Sequence, residues 1–260
     1  MIANLRVVLT TFELDVKQQA VDLFMIFGVV IQPLLIAIMA IYMLLERDPS
    51  RGIYVVVGSG MTGLWTSLLF RGTFNINAER FMGTLEGIVA SPSSLATVVM
   101  GKTLASVTLS FLSMIFSYGL ASIVFRFPLT IAQPLPFFVS LLVTIPAFIS
   151  FGLLISPLMA VNLSLSGWVN ALEYPMYILG GFLFPILLLP DWSNPLSYVL
   201  APYWAARVLH ATSSGSATLS DILLSWGMML VLSGIYMAAS YRLFRIVLHR
   251  ARVEATLSMM

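Results

Sequence analysis

Six apolar stretches, at about 23–45, 53–73, 98–125, 135–161, 168–189 and 219–244, decide what this chain can become. Each reaches the roughly 20 residues that a helix needs to cross a bilayer. In hydrocarbon the backbone N–H and C=O groups find no water, so each stretch must satisfy them within itself, as a helix does. The period-two alternation of a membrane β-barrel is not evident. Composition agrees: 59% of residues are hydrophobic and 9% charged, against roughly 45–50% and about 25% in a soluble domain. The sequence therefore predicts an all-α membrane protein, one transmembrane domain over residues 1–260, with no length left for a soluble domain. A net charge of +2 is too small to point to nucleic acid, and the absence of cysteine excludes disulfides and thiolate-bound metals.

The first 22 residues do not read as a cleavable signal peptide, because Glu13, Asp15, Lys17 and Asp22 precede the first long apolar run. Leu5, Leu9, Phe12 and Val16 recur at helical spacing, with Arg6, Thr10, Glu13 and Lys17 on other faces. That pattern suits an amphipathic helix in the membrane interface; a soluble lead-in helix is the alternative. An even number of spans puts both termini on one side. Placing them in the cytoplasm puts nine basic residues there (Arg6, Lys17, Arg71, Arg80, Lys102, Arg242, Arg245, Arg250, Arg252) and leaves four outside (Arg47, Arg51, Arg126, Arg207). The excess predicts cytoplasmic termini.

This topology makes the polar stretch ERFMGTLEGIVASPSS, residues 79–94, cytoplasmic, between the second and third spans. Phe81, Met82, Leu85, Ile88 and Val89 are expected on one helical face, with Glu79, Arg80, Thr84 and Glu86 over much of the rest. Asn77 is placed to cap the helix and Pro92 to stop it. A helix of about three turns is marginal alone in water, so packing or a partner must hold it. The residues by themselves leave two readings, a contact surface or solvated loop charges.

The stretch ERFMGTLEGIVASPSSLATVVMGKTLA resembles the cytoplasmic loop of type-2 ABC transporter permeases. The matching positions are Glu79, Arg80, Gly83, Thr84, Leu85, Glu86, Pro92, Gly101 and Lys102; Met82 departs from the charged residue many relatives carry there. A looser match is GGFLFPILLLPDWSNPLSYVLAPYWAARVL, through Phe184, Pro185, Leu189, Pro190, Trp192, Asn194, Pro195, Leu196, Ser197, Pro202 and Arg207. The resemblance implies that residues 79–91 form a coupling helix, with Glu79, Arg80, Gly83, Thr84, Leu85 and Glu86 docking on an ATP-hydrolysing subunit. It implies an ABC exporter permease of a bacterial-type inner membrane, working with a second identical or related permease and two ABC ATPase subunits among membrane lipids. No cofactor belongs to this chain; ATP and Mg would be bound by the ATPase. The chain is not expected to be an enzyme itself. A drug, lipid-linked or amphipathic cargo is expected.

Several features carry less. GSGMTG, residues 58–63, spells a dinucleotide fingerprint but lies within an apolar run rather than in a βαβ unit. Gly58, Gly60 and Gly63 are instead expected to let another helix approach. No GxxxxGK[ST] occurs, and His210 and His249 lack companions at ligand spacing, so no metal site is expected. Glu173 is the one acidic residue well inside a predicted span, Asp221 standing at the very start of the sixth, which makes it, with Phe184 and Pro185, a pathway or gating candidate. An ion-coupled secondary transporter using Glu173 is the alternative function. Pro146 and Pro157 should kink the fourth span or free carbonyls. Residues 185–204, with four prolines and several aromatics, are expected to form re-entrant half-helices at the outer face.

Overall fold

A computed structural model describes residues 2–23, 27, 31, 32, 34–36, 38, 39, 52–72, 79, 81–91, 93–125, 130–161 and 169–253. Among the described residues the protein is all-helical, with no strand. The helices are α1 (Ile2–Val21), α2 (Gly52–Ser67), α3 (Leu85–Ala90), α4 (Leu95–Phe125), α5 (Pro134–Val161), α6 (Val169–Leu179), α7 (Asn194–Tyr198), α8 (Ala201–Ser214) and α9 (Leu219–Val253). Four of them, with apolar windows at Ile53–Phe70, Leu95–Leu112, Pro134–Leu158 and Leu219–Ile246, are long and apolar enough to cross a membrane. They correspond to the second, third, fourth and sixth predicted spans. Most of the first predicted span, 23–45, lies outside the described residues, as do Arg47, Arg51, Asn77, Arg80, Pro92, Arg126 and Trp168.

Helix α2 is the centre of the bundle. Its apolar window is 89% buried, against 33% for that of α9, whose Leu223, Leu230 and Ile235 face outward. It packs on α4 and α8, and its last turn widens into a π-helical turn over Leu68–Gly72. The most extensive helix pair is α5 with α9. Pro157 has no N–H to give the carbonyl of Leu153 one turn earlier. Ser240 of α9 donates to that carbonyl at 2.7 Å, so the defect in one helix becomes a bond to the next. Near the other end of the pair, the Trp226 indole N–H donates to Ser140 Oγ at 2.9 Å. Helix α1 lies along α4, and the two backbones nearly touch at Gly101, where an added Cβ would stand 2.7 Å from the carbonyl oxygen of Val8. Phe12 and Val16 are half-buried, while Leu5 and Leu9 of the expected apolar face are exposed.

The fifth predicted span ends earlier than 189. Helix α6 stops at Leu179, where Gly181 takes φ +65° and the Phe182 N–H closes back on the carbonyl of Tyr177. That is a glycine-terminated helix end, and glycine is suited to the left-handed turn. The segment expected as re-entrant half-helices over 185–204 is two 3-10 turns (Ile186–Leu188 and Asp191–Ser193) and the five-residue α7. Helix α8 then runs to Ser214, ten residues past the predicted limit. It begins with Pro202 in its first turn and ends at Gly215, φ +80°, with the Ala217 N–H on the carbonyl of Ala211.

The orphan groups of α8 are met by its neighbours. Tyr236 of α9 accepts from the Ala201 N–H and donates to the carbonyl of Val199. The N–H groups of Ala132 and Gln133, just before α5, donate to the carbonyls of Ser213 and Thr212. Thus α8 caps one end of the bundle, where α2, α5 and α9 begin and α6 ends. The segment carrying α3 sits at the other end, beyond the π turn of α2 and at the start of α4.

Candidate functional site

The polar segment between α2 and α4 is built differently from a single amphipathic helix. Gly83 adopts φ +71°, a conformation costly for residues with a Cβ, and separates the turn at 79–82 from α3. The expected common face is therefore split. Leu85 is buried in the core and Ile88 packs against it, but Phe81 and Met82 are 67% and 61% exposed. Thr84 precedes α3, and its N–H donates to the Glu79 carbonyl at 3.0 Å while its hydroxyl donates to the Glu79 carboxylate. That carboxylate also pairs with Lys102 of α4, and both side chains are largely buried. Burial pushes the Glu79 carboxyl up, but the Lys102 and Thr84 hydrogen bonds and the Lys102 charge outweigh it and hold the group below the ordinary carboxylate range.

The result is a short, tethered projection. Glu79, Thr84 and Leu85 hold it to the bundle; Glu86 and Gly87 are exposed, and an added Cβ at Gly83 or Gly87 would meet nothing within 4 Å. Lys102 and Gly101, adjacent in sequence, fix two different elements: the first ties the polar segment, the second admits α1.

Glu173 is 6% exposed and lies in α6 facing α2. Its Oε1 accepts from the Thr66 hydroxyl at 2.8 Å, from the Tyr177 hydroxyl at 2.6 Å and, more weakly, from the Gln32 amide at 3.4 Å. Thr66 and Tyr177 are themselves 2.6 Å apart. Tyr177 reaches the carboxyl because residues four apart share a helix face. Among the described residues no ion pair involves Glu173. A buried carboxyl group inside a helical bundle of this kind is a functional candidate by default. Sequence reading singled out Glu173 but not Thr66, Tyr177 or Gln32, which are ordinary residues until the fold brings three helical segments together.

At the capped end, Gly58 of α2 lies against the chain just after α6 rather than against a helix: an added Cβ would be 2.0 Å from the carbonyl oxygen of Phe182. Nε2 of the buried His210 is 3.0 Å from that same oxygen, and its ring stacks on Tyr54 at 3.6 Å. Burial pushes His210 down to about 4, against weaker opposing effects of the Phe182 and Gly181 carbonyls, so the ring is neutral. Gly60 meets the flexible Met114 side chain of α4, and Gly63 is buried in the same helix. Phe184 is half-buried and Pro185 exposed, both in the turn that follows α6. The described residues bring together no group of three His, Cys, Asp or Glu that could hold a metal ion. No protein-family model and no curated protein matches this chain.

Proposed function

We propose that this chain is the membrane-spanning subunit of an ATP-driven exporter of the ABC type. In this reading it crosses a bacterial-type inner membrane six times with both termini in the cytoplasm. The observation that carries the proposal is the segment over 79–91. It is polar, projects from one end of the bundle, and is held to α4 by the Glu79–Lys102 pair and to the core by Leu85, while Phe81, Met82 and Glu86 are exposed. A projection that is held at its base and exposed at Met82 and Glu86 can transmit displacement from a docked subunit to α2 and α4. Two copies, or one copy and a related permease, would enclose the path; two ATPase subunits would bind ATP and Mg. The docked ATPase shifts the spans only through different affinities for their two arrangements. The apolar, methionine-containing walls suit a drug, a lipid-linked molecule or another amphipathic cargo. The capped end, with Phe184, Pro185 and α8, would then close the outer exit.

Gentle extraction from native membranes and mass measurement of the intact complex tests this. Two permease-sized chains with two P-loop ATPases are expected, and Glu86→Lys should lower ATPase retention at least tenfold. Recovery of the chain without any ATPase, under conditions that keep other membrane assemblies whole, overturns the proposal. The neutral donor cage of Glu173 favours a second reading, an ion-coupled transporter. Uptake or efflux in ATP-free vesicles driven by a pH gradient, and abolished in Glu173→Gln, would establish it instead.

A further inference from the structure

Beneath the capped end lies a cavity of about 440 Å³, within the roughly 300–1,000 Å³ typical of ligand sites. One wall is a single face of α8, carrying Tyr203, Arg207, His210 and Ser214, and Tyr54 and Tyr198 approach from α2 and α7. Among the described lining residues none is acidic. The buried His210 uses Nε2 on the Phe182 carbonyl, and Arg207 is the fixed cation among these described residues. Asp221 accepts from Arg207 Nη2 at 3.1 Å but lines a separate, smaller cavity of about 190 Å³ on the other side. A guanidinium has five N–H donors in a planar fork, so this one contact leaves donors for a second anion. The Trp204 ring, 5.4 Å from the guanidinium carbon, holds that fork in place.

A further observation narrows the ligand. The turns and α7 that contribute Ile186 and Tyr198 to the lining also carry outward-facing apolar side chains: Leu188, Trp192 and Leu196 are each more than half exposed. They belong to the segment at the capped end, where α2, α5 and α9 begin, and tryptophan and tyrosine are enriched where such helices meet lipid headgroups. We propose that this cavity binds the phosphodiester headgroup of an anionic lipid, with the phosphate on Arg207 and the acyl chains along the exposed apolar side chains of the flanking turns and α7. Arginine matches phosphate oxygens in a bidentate fashion that lysine cannot. The site does not depend on how transport is driven.

The test is lipid retention by the full chain, purified with its associated subunits in nanodiscs of phosphatidylcholine containing a minor fraction of phosphatidylglycerol, and read by native mass spectrometry. Phosphatidylglycerol should be retained preferentially, and Arg207→Gln should reduce that preference about tenfold. Asp221→Asn, which frees guanidinium donors without removing the cation, should raise it several-fold, and serves if Arg207→Gln does not fold. Equal retention of the two lipids, or no response to either substitution, overturns the site. Binding of soluble glycerol 3-phosphate at the same residues, without preference for the anionic lipid, overturns the lipid assignment in favour of a soluble phosphoester.

Discussion

Replacing Gly58 by alanine tests how α2 is locked to the capped end. The new Cβ would stand 2.0 Å from the Phe182 carbonyl oxygen, and that atom is backbone, not the end of a flexible side chain. A carbon and an oxygen approach to about 3.3 Å, so the chain after α6 must retreat by about 1.3 Å. The movement separates Phe182 from His210, whose Nδ1 is already without a partner, and leaves a buried ring with neither nitrogen bonded. Overpacking costs about 1–3 kcal/mol and an orphaned buried polar group about as much again, for a total of about 2–6 kcal/mol. Gly60→Ala is the matched control: its Cβ meets side-chain rather than backbone atoms, Met114 Cγ at 2.4 Å, which a rotamer change can move without breaking a hydrogen bond, and the cost should stay at about 1–2 kcal/mol. Thermal unfolding of the purified variants should show a loss on the order of 10 °C for Gly58→Ala and a few degrees for Gly60→Ala. Equal melting of the two, or the reverse order, would refute the reasoning.

Lys102→Met should release the segment over 79–94 and expose it to protease, at a cost of about 1–3 kcal/mol, intermediate between exposed and buried ion pairs. The Glu79 carboxyl is held low, so its contribution is complete above the ordinary value of about 4.3 and is lost as pH falls through the depressed one; unchanged proteolysis in the variant would contradict the tether. Tyr177→Phe removes the shortest hydrogen bond to Glu173 and should destabilise by about 1.5–3 kcal/mol, whereas Tyr174→Phe, on the exposed side of α6, should cost little; comparable melting of the two denies the donor cage. His210 at about 4 implies that the unfolded chain takes up the proton first, so stability should fall by about 3 kcal/mol as pH drops from about 6.5 to about 4. His210→Asn should flatten that part of the pH profile of thermal stability, and an unaltered slope would assign it to other groups.

The long apolar runs were the most legible part of the chain, because a continuous hydrophobic stretch has one economical solution in lipid. Four of them are helices of the expected kind. The misplaced boundaries have local causes. Gly180 and Gly181 end α6 within a run that hydropathy alone carries to Leu189, and a left-handed turn leaves no mark on an apolarity count. Helix α8 was bracketed by Pro202 and Gly215, a proline in the first turn and a glycine after the last, but Pro185, Pro190 and Pro195 upstream made the whole region read as broken. Gly83 split the polar segment for the same reason that glycine always can: it tolerates φ +71° where Met82 or Thr84 would not do so cheaply. The polar clusters were less legible. Glu173 stood out as a charge among apolar residues, yet its partners lie up to 141 positions away and have no distinguishing chemistry of their own.

Each of these clusters is reached through α2. Tyr54 and Gly58 meet His210 and Phe182 at the capped end; Thr66 bonds Glu173 and Tyr177 further along; Ser67 donates to the Ser106 carbonyl of α4, at 3.3 Å, beside the π turn. Between Tyr54 and Ser67 the helix is regular, and its buried side chains are packed on every side. A close-packed interior does not absorb a displacement by compression; it moves as a body or switches between arrangements. Any shift of α2 along or about its axis must therefore change the Glu173 cage and the Phe182–His210 contact together, while the wider hydrogen bonding of the π turn at Leu68–Gly72 is where such a shift can be taken up with least loss. A force applied to the projecting segment next to that turn would reach the cavity at the opposite end by this one helix.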